Sequence, residues 1–370
     1  MRNKIIIILA GALLLQCCCL SGLLPEMGDT LTELESELGL QMTLEALEME
    51  PTLAVENPAP IVPTSPPLVE ELPDDPADFA GDAVVGSATY RVQQTLTLAN
   101  DGNGTVDEIK LHMALLKSWK PYQVVTLTKA TPANYETFSD EFGNQYGLFW
   151  LYDIAPGESV PIVIEYEVTV NALDYDLGAC SGEMFNGFTY AEKYLEVDHN
   201  DIASQSYALT ENVGSYCQAA RNIYDYVMDS LVYAGYVTDD AGALKALNSG
   251  TGDCTEYSDL MIALSRAAGV PARFVEGITY GRDGFYDAGQ TKHDWLEVFL
   301  PGSGWVPMDP TWGENNPDGY FAEMSPDHIV VTKGRNLAPL NGYHYWVYWS
   351  QGDDSAEVNT YDEAWKIWKQ

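Results

Sequence analysis

With 370 residues, 46% of them aliphatic or aromatic, the chain has the length for about two domains of the usual ~100–200 residues and a sizeable buried core. Its formal charge of −37 excludes a nucleic-acid partner, because gripping a polyphosphate relies on counterion release by Lys and Arg. Residues 25–90 carry 15 Asp or Glu and no Lys or Arg, so much of the acidity belongs to a tail, for which life in high salt and simple solubility are both open reasons.

The chain begins Met1-Arg2-Asn3-Lys4 and continues as an apolar run from Ile5 to Leu15, the layout of a secretory signal. The run extends through Cys17-Cys18-Cys19 to Leu24, 20 mostly apolar residues and close to the ~20 that span a bilayer. Residues 1–24 are therefore expected to be a signal peptide or a membrane anchor. A lipid-anchored Cys is a third reading, opposed by Gln16 where such sites place a small residue. Each route predicts an exported protein, at the cell surface or held to the membrane by its N-terminus. Residues 25–86 follow as an acidic, Pro-rich linker, in which 30–50 allow a short acidic helix and 51–77 hold eight prolines, a stiff spacer of polyproline type.

From 87 to 172 the pattern has period two: Tyr90, Val92, Leu96 and Leu98 alternate with polar residues, as do Ile162, Ile164, Tyr166, Val168 and Val170. Turn signals fall between the runs at Asp101-Gly102-Asn103-Gly104, Phe142-Gly143-Asn144 and Pro156-Gly157, which predicts an antiparallel β-sandwich. It holds no titratable cluster and is assigned no chemistry; Asn103-Gly104-Thr105 is a glycosylation acceptor sequence in one of its turns. A connecting segment, 173–210, leads to a core over 211–315 that opens with a helix of period 3.6 (Val213, Tyr216, Cys217, Ala220, Ile223, Tyr224, Val227, Met228, Leu231). Of six cysteines, three lie near the N-terminus and three, Cys180, Cys217 and Cys254, in the folded part. Cys217 on the apolar stripe is either a small core residue or the disulfide partner of Cys180.

Within the core, Gly250-Thr251-Gly252-Asp253-Cys254-Thr255-Glu256-Tyr257 precedes a helical run ended by Gly269 and Pro271. Asp253 as N-cap with Glu256 three residues later resembles a capping box and puts Cys254 at the first helical position. There the positive helix end and unpaired backbone N–H groups favour a thiolate, and the N–H of Cys254 is a natural oxyanion donor. A Cys at a helix start is more often an inert core residue; what adds weight is the next segment. Lys292 to Leu300 reads as a strand, Pro301-Gly302-Ser303-Gly304 as a turn and Trp305 to Thr311 as the return strand. His293 is then placed to act as general base and Asp309 as the carboxylate that fixes its tautomer. The pairing depends on register: if all of 301–304 is loop, Asp309 falls on the sheet face opposite His293. A three-residue loop with Leu300 opposite Gly304, or a bulge near Gly304 or Pro307, puts both on one face.

Taken together, Gly252-Asp253-Cys254-Thr255-Glu256-Tyr257, Arg266-Ala267-Ala268-Gly269-Val270-Pro271-Ala272-Arg273, His293-Asp294-Trp295-Leu296-Glu297-Val298 and Gly304-Trp305-Val306-Pro307-Met308-Asp309-Pro310-Thr311 resemble the core of the transglutaminase-like superfamily over roughly 211–315. The resemblance implies an α+β, papain-like fold, with a Cys-bearing helix packed on an antiparallel sheet that carries the His and Asp, preceded by an all-β sandwich. It maps the family's catalytic Cys, His and Asp onto Cys254, His293 and Asp309. It implies thiolate attack on an amide of a peptide or protein substrate, with the thioester passing to water or to a lysine amine; a non-catalytic peptide-binding module using the same cleft is the competing class. Water is the simpler acceptor for an open exported site.

No cofactor or metal is expected. Cys254, His293 and Asp309 could be written as zinc ligands, but the chain lacks the short-spaced Cys or His pairs of structural zinc sites. Residues 316–370 are expected to be an aromatic-rich extension packing on the core, with His328 and His344 in it. Tyr343-His344-Tyr345-Trp346-Val347-Tyr348-Trp349 reads as a buried edge strand or as an aromatic substrate groove.

Overall fold

A computed structural model of the protein describes residues 83–178, 180–236, 239–281 and 292–370. The expected signal or anchor at 1–24 and the linker up to residue 82 lie outside the described residues. Among the described residues no helix is long and apolar enough to cross a membrane.

The alternating region forms six strands, β1 (Val84–Asn100), β2 (Val106–Leu115), β3 (Gln123–Thr131), β4 (Glu136–Ser139), β5 (Gln145–Ile154) and β6 (Ser159–Asp174). The turn signals sit where the chain reverses. Between β1 and β2 the Asn100 side chain accepts from the N–H of Gly102 and donates to the carbonyl of Gly104, a local closure suited to Asn. The inward positions, Tyr90, Val92, Leu96, Leu98, Ile162, Ile164, Tyr166 and Val168, are buried between two sheets, as period two requires.

Then follow α1 (Asn200–Thr210), α2 (Tyr216–Ser230), β7 (Val232–Tyr233), α3 (Ala243–Ser249), β8 (Thr251–Gly252), α4 (Cys254–Ala267), β9 (Ala272–Thr279), β10 (Lys292–Leu300), β11 (Gly304–Met308) and α5 (Pro310–Gly313). The last strands are β12 (Glu323–Met324), β13 (His328–Lys333), β14 (Trp346–Gly352) and β15 (Val358–Lys369). An antiparallel sheet of order β11-β10-β9-β13 lies against α4, which is buried from Thr255 to Arg266, while α1, α2 and α3 pack on its other sides. The fold is the expected α+β core preceded by a β-sandwich.

Two boundaries differ from expectation. The connecting segment 173–210 ends in α1, tied to α4 by a hydrogen bond from Ser206 Oγ to the carbonyl of Leu264; only Ile202 and Ser206 of this helix are buried, so its sequence carries little apolar periodicity. The extension 316–370 does not simply cover the core. β13 joins β9 in the core sheet, whereas β14 pairs with β2 and β15 with β1, completing the two sandwich sheets, to which β12 adds a short pairing with β6. Without those last strands, β1 and β2 would each present an unpaired edge.

Candidate active site

The start of α4 is fixed by reciprocal capping. The Asp253 carboxylate accepts from the N–H of Thr255 at 2.9 Å, and Glu256 Oε2 accepts from the N–H of Asp253 at 3.1 Å. Glu256 Oε1 also takes the N–H of Ala241, at 2.9 Å, tying the preceding loop to the helix. Cys254 thus stands at the first helical position, half-buried and not in a disulfide, with its own N–H left aside by the Asp253 cap.

The hairpin of β10 and β11 closes through residues 301–303, with Leu300 opposite Gly304 and Leu296 opposite Met308. This is the three-residue register that brings Asp309 to the His293 face; Gly302 and Gly304 adopt φ of +86° and +77°, a turn that side-chain-bearing residues enter with strain. His293 Nε2 and Asp309 Oδ2 lie 2.7 Å apart. Asp309 Oδ1 in turn accepts from the N–H groups of Thr311 and Trp312, 3.0 Å each, so the carboxylate is also the N-cap of α5 and cannot swing. Burial would raise its carboxyl, but His293 and then His328 outweigh burial and hold it below the usual carboxylate range.

His328 is a partner that spacing did not reveal. Its Nε2 lies 3.3 Å from Asp309 Oδ2 and its Nδ1 2.8 Å from Asp327 Oδ1, fully buried. Burial alone would lower it; the hydrogen bonds to Asp309 and Asp327 outweigh this and push it up to about 9. At neutral pH Asp309 therefore sits between His293 and an imidazolium.

Cys254 and His293 line one pocket of about 380 Å³, with Tyr233, Tyr236, Lys292 and Trp312. His293 commits Nε2 to Asp309, which leaves Nδ1 as the nitrogen available to a thiol. The thiol's hydrogen bond runs to Asp294 Oδ2, at an S···O distance of 4.0 Å. Asp294 also accepts from Thr255 Oγ1 at 2.8 Å. Burial first, then the carboxylates of Asp294 and Asp253, push the Cys254 thiol well above its ordinary value. Burial first and these carboxylates second thus act against the thiolate that the helix end favours, while the backbone of Asp294 acts for it. The only sequence signal for Asp294 was its place after His293.

Two clusters have the spacing of metal ligands, His293 with Asp309 and His328, and Glu276 with Asp294 and His344. In both, a histidine has both ring nitrogens on carboxylates: His328 on Asp309 and Asp327, His344 on Glu276 and Asp240. A carboxylate on each ring nitrogen favours the imidazolium. Burial would lower His344, yet Glu276 and then Asp240 push it up to about 11. These are ion-pair networks. Cys180 and Cys217 are joined in a disulfide, which settles the open alternative for Cys217. The aromatic tail lines a cavity of about 580 Å³ with Tyr343, Trp346, Tyr348 and Trp349, which shares Lys292 with the Cys254 pocket.

Residues 203–310 match the sequence model of the core of the transglutaminase-like superfamily. Among curated proteins, the uncharacterized protein YebA of Bacillus subtilis (strain 168) is 28% identical over 144 residues, covering 36% of this chain and 18% of its own length. An uncharacterized protein of Haemophilus influenzae is 33% identical over 89 residues, 19% of this chain and 24% of its own. The matches thus span less than a quarter of either relative. Among solved structures, a Cytophaga hutchinsonii protein provisionally described as a cysteine protease aligns over 77% of this chain and 98% of its own, with a TM-score of 0.53 and 16% identity, a likeness of fold. The periplasmic domain of TgpA from Pseudomonas aeruginosa aligns over 66% and 93%, with a TM-score of 0.34 and 15% identity.

Proposed function

We propose, for a chain whose residues 203–310 belong to the transglutaminase-like superfamily, thiol-dependent acyl transfer on peptide or isopeptide amides through a thioester at Cys254. The observation that carries this reading is the 2.7 Å bond between His293 Nε2 and Asp309 Oδ2 beside a free cysteine at a helix start in the same pocket. His293 Nδ1 takes the thiol proton as sulfur attacks the amide carbon, and Asp309, ionised and immobile, stabilises the imidazolium. The developing oxyanion is met by the N–H of Cys254, supported by the dipole of α4. The imidazolium then returns its proton to the leaving amine, the C–N bond breaks, and the acyl group remains on sulfur.

Water is the acceptor favoured here: His293 deprotonates it, it attacks the thioester, and the free acid and the thiol are regenerated. Water needs no binding site of its own beside the thioester, which supports hydrolysis over crosslinking. The test is incubation of the full chain with a glutamine-containing peptide and a labelled amine. Free acid as the main product, lost in Cys254→Ala, is expected; incorporation of the amine as the main product overturns the hydrolytic assignment.

One observation favours a second reading. The carboxylates that raise the Cys254 thiol suit a non-catalytic module that binds peptides in the same cleft. Alkylation of Cys254 by iodoacetamide that His293→Ala slows, followed across pH, supports the enzyme; equal labelling of both proteins at every pH supports the binding module. Extracytoplasmic placement, with attachment through the N-terminus, belongs to the same proposal. The Cys180 to Cys217 bridge supports it, since disulfides persist in oxidising compartments.

A further inference from the structure

We infer that Asp294 is a second acidic group of the nucleophile's site, which keeps Cys254 a neutral thiol while ionised and releases it to His293 on taking up a proton. This inference rests on the reading of Cys254 as the nucleophile.

The geometry is specific. His293 and Asp294 are neighbours on β10 and therefore point to opposite faces of the sheet, yet Cys254 shares a pocket with His293 and donates its thiol to Asp294 Oδ2. The thiol proton thus has Asp294 Oδ2 as its acceptor in the structure, while attack requires that it go to His293 Nδ1 in the same pocket. With the proton on the carboxylate side it is not available to His293 Nδ1, and an ionised Asp294 also repels the negative charge that attack requires.

Asp294 itself is held in an unusual state. It is buried, and its Oδ1 has no hydrogen-bond partner, so among the described residues its side-chain hydrogen bonds are the hydroxyl of Thr255 and the weak thiol contact. A buried carboxylate so poorly satisfied gains from protonation. The groups that face it are Cys254 and Asp253 from the start of α4, Glu276 across the pair on β9, His344 and Tyr345 from the segment before β14, and His293 beside it. His344, the first of the histidines that favour its ionised form, already answers Glu276 and Asp240, and His293 follows it. Burial first, softened by His344 and reinforced by Glu276, places Asp294 at about 6, inside the range where solution pH decides its charge.

The sign follows. Above that value Asp294 is ionised and the thiol is kept neutral. Below it, one proton from solvent neutralises Oδ1 or Oδ2, the thiol proton passes to His293 Nδ1, and a thiolate and an imidazolium result. One proton is taken up and none is lost. At strongly alkaline pH the thiol ionises by itself.

The experiment is the rate of iodoacetamide alkylation of Cys254 in the full chain from pH 4.5 to 10, read by mass spectrometry of the peptide that bears Cys254. The wild type should show a reactive limb below about 6, a trough near neutral pH, and a second rise at alkaline pH. Asp294→Asn should fill the trough, with about a tenfold gain near pH 7.5, since one unit of thiol pKa is tenfold in thiolate. Thr255→Val, which removes the hydroxyl that supports the ionised form, should extend the reactive limb to higher pH. A wild-type profile with a single alkaline rise, or an Asn variant that folds and labels no faster, overturns the inference. His293→Ala separates the two levels: if it slows labelling while Asp294→Asn changes nothing, the inference fails and the assignment of Cys254 stands. If it changes nothing, the assignment fails.

Discussion

At the scale of single residues, Asp309 shows how one side chain can serve the fold and the chemistry with different atoms. Oδ1 caps α5 through two backbone N–H groups, and Oδ2 receives His293 and His328. Asp309→Asn is a discriminating substitution for that reason. Its amide oxygen keeps the cap, while its NH2 group, directed at the rings, cannot accept the proton of Nε2 and favours the wrong tautomer. We expect kcat/KM for amide cleavage to fall by about 10²–10⁴, the usual worth of general-base catalysis, with a thermal midpoint lowered by the loss of one of the two carboxylates on buried His328 but still above the assay temperature. A variant that melts much earlier and loses activity in proportion assigns Asp309 to the fold alone. The sequence made Cys254, His293 and Asp309 readable because motif spacing and hairpin register act over a few residues. His328 and Asp294 were not readable as members of the site. Their roles come from approach across a sheet edge and a helix end, which no local period encodes.

At the scale of elements, the hairpin of β10 and β11 decides whether the site exists. Side chains alternate faces with period two, so a shift of one residue moves Asp309 from His293 to the opposite face. The residues around the loop, Pro301-Gly302-Ser303-Gly304, carry the information: the two glycines supply positive φ, and closure after three residues leaves Leu300 opposite Gly304. One glycine inserted between Gly302 and Ser303 should therefore abolish cleavage, by about the same 10²–10⁴, while far-ultraviolet circular dichroism stays near that of the parent. Retained activity would mean that a bulge absorbs the insertion and that register does not set the site. The start of α4 was legible for the same local reason, since Asp253 and Glu256 sit three residues apart and cap each other's backbone. α1 was not, because with two buried positions in eleven residues it has almost no apolar stripe to read.

At the scale of the whole described unit, the chain's return to its first sheets is what local pattern could not show. The tail residues Trp346 to Gly352 read as a strand, but their partner β2 lies more than two hundred residues earlier, and alternation identifies a strand without naming its neighbour. The consequence is coupling: β13 sits in the core sheet and β14 and β15 in the sandwich, so neither part closes without the same C-terminal segment. The outer edge of β13 strengthens the coupling. Gln123 donates to the carbonyl of Val330 and accepts its N–H, 2.8 Å each, and Asn144 does the same for Lys333 at the same distances. Two buried amides of the sandwich thus replace the missing neighbour strand of the core sheet. Gln123→Ala strips both polar groups of Val330 of their partners, and an unsatisfied buried group costs about 1–3 kcal/mol. Urea unfolding followed by tryptophan fluorescence and by circular dichroism should show an unfolding free energy lowered by that order for each of the two groups, with the two probes still coincident because core and sandwich share their last strands. Probes that separate in the variant, the core melting ahead of the sandwich, would show that the side-chain amides rather than the shared strands join the two parts.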